Sequence, residues 1–111
     1  MNIDDARVVL EWLGYEAPKA EGSQYWRRER DWRCTLPHES GVCGHAIDAT
    51  WIMEKLVSAL EERLGLRYGA FWPLGDEVEV SISTPDAMFR GTGSTFEAAF
   101  LAAAAKAVSD A

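Results

Sequence analysis

The sequence predicts one α+β domain spanning residues 1–111, with a mostly antiparallel sheet of four to five strands and three helices in an α/β/α sandwich-like arrangement. The predicted order is helix, two strands, helix, three strands, helix. Apolar residues recur at helical spacing between Ala49 and Leu64, whereas Val78, Val80 and Ile82 alternate with polar residues, as in an antiparallel strand with one solvated face. A chain of 111 residues, 48% of them hydrophobic, can form one domain with a buried core.

The three predicted helices differ in their signals. The first runs to Leu13 and is stopped by Gly14. The second covers residues 47–64 and has one apolar face. The third is rich in alanine and opens with Ser94 and Glu97 in capping-box spacing, and its small side chains should let it lie close to the sheet.

The predicted strands fall in two groups. Residues 25–36 combine aromatic and polar side chains and predict a hairpin or one bent strand. Residues 66–73, 77–84 and 87–93 predict three short strands, separated by turn residues around positions 75–76 and 85–86.

Charge and hydropathy exclude several classes of protein. The formal net charge is -7, so the chain lacks the basic surface needed for non-specific binding to phosphate backbones or anionic membranes. The amino terminus lacks the apolar run of a secretory signal, and the longest apolar stretch, residues 98–105, is too short to span a bilayer. We expect a soluble cytosolic protein without a complete catalytic signature, not an enzyme, whose partners are proteins, cations or small molecules.

Residues 25–33 form a basic aromatic segment with a net charge of +2, which leaves -9 for the rest of the chain. Tyrosine, tryptophan and arginine dominate the energetics of protein interfaces. The segment therefore predicts a contact surface, with the alternative that one tryptophan packs in the core beneath the arginines. The predicted partner-binding residues are Tyr25, Trp26, Arg27, Arg28, Arg30, Trp32, Arg33 and Trp51.

Trp51 is included because it falls on the polar side of the second helix. It either packs under the first helix or the hairpin, or is exposed to a partner. Trp12 and Trp72 are expected in the core.

Acidic side chains predict a second surface. A negative face could imitate nucleic acid and occupy a basic groove on another protein, although most such runs are solvated surface. The residues of this predicted acidic face are Glu61, Glu62, Asp76, Glu77 and Glu79.

All cysteines and histidines lie within twelve residues, at Cys34, His38, Cys43 and His45. Thiolates and imidazoles are the usual ligands of zinc, so the cluster is a candidate zinc site, although its spacing is not a standard structural pattern. The alternative is a loop with scattered polar residues and a buried Cys34. No other cofactor is expected.

The stretches ATWIMEKL, EVEVSI and GTGSTFEAAFLAAAAKAV resemble the phage ABA sandwich domain of small phage and prophage proteins. The resemblance covers roughly the carboxyl-terminal 60% of the chain, and CGHAIDATW departs from it before the central helix. It implies a phage or prophage origin and a location in the host cytosol, and it assigns no catalytic residues, because none is established for the family.

These observations lead to three hypotheses. The first is a phage-derived, non-enzymatic protein that binds a bacterial host protein and inhibits a defence system, such as a CRISPR effector. The second is a binding module for a small anionic ligand or zinc, which would use Arg27, Arg30 and the Cys/His loop. The third is a homo-oligomeric structural phage protein or homodimer. Direct binding to RNA is not expected, because the last helix begins with Phe96, Glu97 and Ala98 where a double-stranded RNA-binding domain carries lysines.

Overall fold

The computed structural model describes residues 3–17, 25–34 and 49–110, and the α+β fold is given for these residues. The predicted order of helices and strands is confirmed, while residues 47 and 48, predicted to begin the second helix, lie outside the described residues. The elements are α1 (Ile3–Trp12), β1 (Tyr25–Arg28), β2 (Asp31–Cys34), α2 (Ala49–Leu64), β3 (Tyr68–Leu74), β4 (Glu77–Ser83), β5 (Met88–Gly93) and α3 (Phe96–Ser109).

Helix α1 is followed by a glycine, as predicted. Gly14 has a φ of 98°, a left-handed conformation that glycine adopts without a side-chain penalty. The N–H of Tyr15 then donates a 2.9 Å hydrogen bond to the carbonyl of Leu10, which satisfies one of the last carbonyls of the helix. This turn directs the chain toward β1.

The described strands form two antiparallel sheets, which corrects the prediction of one sheet with four to five strands. Strands β3, β4 and β5 form a three-stranded meander, whereas β1 and β2 pair only with each other among the named strands. The free side of β1 is paired instead with the segment that follows α1, through two backbone hydrogen bonds between Glu16 and Arg27. The hairpin is thereby attached to α1.

Helix α3 packs directly on β5, as its small side chains predict. Gly91 and Gly93 face the helix, and a β-carbon on Gly91 would overlap the backbone of Ala99 and Ala103. The two alanines are completely buried. Glycines on the strand and alanines on the helix therefore set the short distance between the two elements.

The described helices lie on one side of the three-stranded sheet. Helix α3 contacts β4 and β5, and both α1 and α2 contact α3. The predicted packing of helices on the sheet is thus confirmed for α3, and α1 and α2 pack on α3.

The amino-terminal cap of α3 is Thr95, which corrects the predicted capping box of Ser94 and Glu97. Thr95 has extended backbone angles, and its hydroxyl accepts a 3.2 Å hydrogen bond from the N–H of Ala98. That N–H lies three residues into the helix from the cap, the usual partner of a capping side chain. The helix begins one residue later than a Ser94 cap would require.

The core joins all three helices to the sheet. Trp12 packs against it, as predicted, and Arg63 of α2 holds the end of α1. Its Nη1 donates a 2.6 Å hydrogen bond to the Trp12 carbonyl, and its guanidinium lies 4.8 Å from the centre of a Trp12 ring. The largest completely buried side chains are Leu10, Leu56, Leu60, Ile82, Leu101, Val9 and Val80.

Trp72, also expected in the core, lies elsewhere. It is partly exposed and pairs with Glu79 on β4. Successive side chains of a strand point to opposite faces, and Val80, which pairs with Gly91, faces α3. Glu79 and Trp72 therefore lie on the sheet face away from α3.

Candidate functional site

The basic segment forms a β-hairpin with a two-residue turn, which lies between α1 and α2 in the sequence. In its register, Trp26 pairs with Arg33, Arg27 with Trp32, and Arg28 with Asp31. Glu29 and Arg30 make the turn, where Glu29 has a φ of 56°. Because cross-strand partners share a face, this register decides which side chains meet the rest of the protein.

Trp26 is a core residue, so the structure corrects its predicted role as a partner contact. Its side chain is only 3% exposed and belongs to the same apolar cluster as Leu10 and Leu60. Burial of a tryptophan is one of the larger single hydrophobic contributions to folding. Trp26 therefore anchors β1 to the body of the protein.

A second anchor is a polar network on the same face of the hairpin. The Tyr15 hydroxyl donates a 2.5 Å hydrogen bond to Oδ2 of Asp31, and Arg33 Nε donates a 2.9 Å hydrogen bond to Oδ1. Both carboxylate oxygens of Asp31 are thus bonded within the protein. Burial, and then the hydrogen bond to Asp31, raise the pKa of Tyr15 to about 12.

Trp51 completes this anchor from α2. Its ring meets Tyr15 edge to face at 5.5 Å between ring centroids, and the Arg33 guanidinium lies 4.6 Å from the centre of a Trp51 ring. Of the two alternatives from the sequence, the structure shows the packed one, with Trp51 partly buried beneath the hairpin. The flat, weakly hydrated guanidinium group stacks favourably on an aromatic face.

The arginines of the hairpin divide into two groups. Arg33 is 21% exposed and fixed by Asp31 and Trp51, whereas Arg27, Arg28 and Arg30 are exposed. Arg27 Nε donates a 3.0 Å hydrogen bond to the carbonyl of Glu29. Three predicted contact residues therefore have accessible side chains, while Arg33 has a structural role.

Two other predicted contact residues, Tyr25 and Trp32, lie in β1 and β2, but their side chains are outside the described part of the structure.

The predicted acidic residues do not form one face. Glu61 and Glu62 are exposed in the last turn of α2, which meets the β4–β5 turn near Pro85. Asp76 and Glu77 lie at the β3–β4 turn, at the opposite end of the sheet. The length of a seven-residue strand, about 20 Å, separates the two turns. A continuous imitation of nucleic acid by these residues is therefore not supported.

Glu79, the fifth acidic residue, is mostly buried. Its side chain is 16% exposed and lies 3.8 Å from the Arg90 guanidinium. Partial neutralisation by Arg90 further reduces its contribution to an acidic surface.

The predicted zinc cluster stays a prediction. His38, Cys43 and His45 lie outside the described residues, and only the backbone of Cys34 is placed, at the end of β2. Within the described ranges, no group of three or more histidine, cysteine, aspartate or glutamate residues is arranged to hold a metal ion.

A small cavity of about 150 Å³ lies between the ends of α2 and α3 and the β4–β5 turn. Its lining includes Arg63, Asp86 and Asp110.

Sequence reasoning missed Tyr15 and the anchoring role of Asp31. Tyr15 follows the glycine that ends α1, and only the pairing of Glu16 with Arg27 brings it next to the hairpin. The nearest signal in the sequence is an aromatic residue directly after a helix stop.

No family model, no curated protein and no solved structure matches the chain. Among the described helices, none combines the length and apolar character needed to cross a bilayer.

Proposed function

We propose that this chain is a small non-catalytic protein that binds another protein through the exposed arginines of its β1–β2 hairpin. One observation carries the proposal: a basic hairpin in an otherwise acidic chain is fixed at its base, by Trp26 and by the Asp31–Arg33–Trp51 contacts, while Arg27, Arg28 and Arg30 are exposed.

A fixed base matters for affinity. Binding costs less free energy when the contact surface is already ordered, since side chains and backbone lose less conformational entropy. Arginine at such a surface can form several hydrogen bonds to one partner. The hairpin combines both properties, which supports a binding role over a purely structural one.

The charge distribution supports a protein partner over nucleic acid. Outside the segment 25–33, the chain carries a net charge of -9. A nucleic acid presents negative charge along its whole length and would be repelled by this body. A protein can present an acidic patch to the hairpin without extending that charge over the remaining surface.

The resemblance to the phage ABA sandwich domain gives the proposal its biological setting. In this setting the chain would be a phage or prophage protein that binds a bacterial host protein and inhibits a host defence system such as a CRISPR effector. The hairpin proposal does not depend on this setting.

Affinity capture from a bacterial lysate tests the proposal. The baits are the unaltered chain, a variant with Arg27, Arg28 and Arg30 changed to alanine, and Arg67→Ala as a control for an exposed arginine elsewhere. We expect one protein in stoichiometric amount with the unaltered chain and the control, absent with the triple variant. Capture of nothing, or equal capture by all three baits at unchanged melting temperatures, would contradict a hairpin interface.

Zinc binding and self-association remain separate alternatives. Stoichiometric zinc in protein purified without chelator, together with a lower melting temperature after chelation, would support the metal site. A molar mass in solution above that of one chain would support the homo-oligomer.

A further inference from the structure

We infer that the hairpin recognises a carboxylate-rich segment of a protein, and that Arg28 and Arg30 are the residues that bind it. This inference rests on the proposed function and adds the chemistry of the partner. Both arginines are exposed, and they lie on either side of Glu29 at the tip of the hairpin.

The internal bonding of Asp31 is the first reason. Arg28 and Asp31 are opposite each other in register, so Asp31 is the nearest carboxylate of the adjoining strand. However, Tyr15 and Arg33 already bond its two oxygens. Each oxygen of Asp31 therefore has a hydrogen-bond partner other than Arg28.

The position of Arg28 is the second reason. Its side chain passes beside Gly14, where a β-carbon would lie 3.7 Å from Arg28 Nε. Contact at this distance is ordinary, so the Arg28 side chain lies alongside the end of α1. An arginine supported in this way loses less rotational freedom when it binds a partner.

The neighbours of Arg27 give it a smaller role. Its backbone pairs with that of Glu16, which places an acidic residue directly across the bridge, and its Nε donates to the Glu29 carbonyl. Arg28 and Arg30 therefore carry most of the positive charge offered at the tip. A guanidinium group matches a carboxylate, which it can bind through paired hydrogen bonds.

Carboxylate is favoured over phosphate because of the surrounding charge. A phosphate-rich polymer would extend its charge past the tip and onto a body of net charge -9. A short acidic segment of a protein can contact the basic tip without extending its negative charge over the acidic body. The expected interaction is modest in affinity and strongly weakened by salt, because both arginines are solvent-exposed.

Nuclear magnetic resonance titration of the full ¹⁵N-labelled chain tests this inference with three probes: a deca-glutamate peptide, a deca-thymidylate strand and inorganic pyrophosphate. We expect deca-glutamate to shift the amide signals around Glu29 and Arg30, at least about tenfold more tightly than the other two probes. Raising the salt concentration to about 0.5 M should abolish the shifts.

The double variant Arg28→Glu/Arg30→Glu should lose at least about tenfold in affinity for deca-glutamate, while Arg67→Glu should change it by less than about twofold. Amide spectra of both variants report whether the fold is retained. Tighter binding of deca-thymidylate or pyrophosphate at the tip, shifts confined to other residues, or equal effects of the two variants would overturn the inference. If capture by the hairpin succeeds while deca-glutamate fails here, the proposed function stands and only the acidic partner is rejected.

Discussion

The hydroxyl of Tyr15 donates a 2.5 Å hydrogen bond to Oδ2 of Asp31, so the residue after the stop of α1 holds the second strand of the hairpin. Tyr15→Phe removes this bond and keeps the ring against Trp51. We expect a loss of about 1–2 kcal/mol in the free energy of unfolding, because the acceptor is charged and only partly exposed. Urea denaturation followed by tryptophan fluorescence measures it. An unchanged midpoint would show that the bond does not stabilise the hairpin.

The same bond predicts a dependence of stability on alkaline pH. Burial and the Asp31 hydrogen bond raise the pKa of Tyr15 to about 12, above its ordinary value of 10.0. A raised pKa means that the folded protein holds this proton more tightly than the unfolded chain does. The resulting stabilisation is complete below about pH 10 and is lost as the pH rises toward about 12.

Denaturation at a series of pH values from about 9 to 12 tests this dependence. Tyr15→Phe is the matched control, since it should show a smaller loss of stability over the same interval. Absorbance near the tyrosinate band should also show one tyrosine of the unaltered chain titrating late. Equal pH profiles for the two proteins would contradict a raised pKa at Tyr15.

Because β5 and α3 approach closely, adding a single methyl group to β5 should strongly destabilise the fold. Gly91→Ala would place a β-carbon in the backbone of Ala99 and Ala103, where neither partner can move without separating helix and strand. We expect a loss of about 3 kcal/mol or more, at or above the upper range for overpacked cores. Thermal melting measures the change.

Gly69→Ala is the control for Gly91. It lies on β3 of the same sheet, and its added β-carbon would meet the nearest atom, the Ser81 carbonyl oxygen, at an ordinary 3.7 Å. The free energy of unfolding of Gly69→Ala should stay within about 1 kcal/mol of that of the unaltered chain. Similar losses at the two glycines would mean that flexibility of the chain, and not the packing of α3, explains the glycine at position 91.

The cap of α3 gives a prediction that separates two neighbouring residues. Thr95→Ala removes the hydroxyl that accepts from the Ala98 N–H and should cost about 1 kcal/mol. Ser94→Ala should have an effect of less than about 0.5 kcal/mol, because Ser94 precedes the cap. The reverse order in chemical denaturation would restore the capping box predicted from the sequence.

The sequence predicted the elements well because their signals are local. Gly14 after an apolar helix and the alternation of Val78, Val80 and Ile82 depend on a few neighbouring residues. The solvated face predicted for β4 was wrong, because Ser81 is 5% exposed and the Glu79 side chain 16%. The predicted position of the cap was wrong by one residue. Ser94 and Thr95 are both good caps, and only the backbone angles of Thr95 distinguish them.

The candidate site was less predictable because it depends on register. Trp26 and Trp32 look alike in the sequence, but the two-residue turn at Glu29 pairs Trp26 with Arg33 and places it toward the core. A shift of one residue would reverse the faces of a strand. Long-range contacts, such as Tyr15 with Asp31, leave no periodic signal at all.

The most direct test of the hairpin interface is the dissociation constant of the captured partner, purified and titrated into the chain by calorimetry. Three forms are compared at low salt: the unaltered chain, Arg28→Glu/Arg30→Glu, and Arg67→Glu. We expect the double variant to bind at least about tenfold more weakly, at an unchanged melting temperature, and the Arg67 variant to bind like the unaltered chain. Undiminished binding by the double variant would contradict a contact at the hairpin tip.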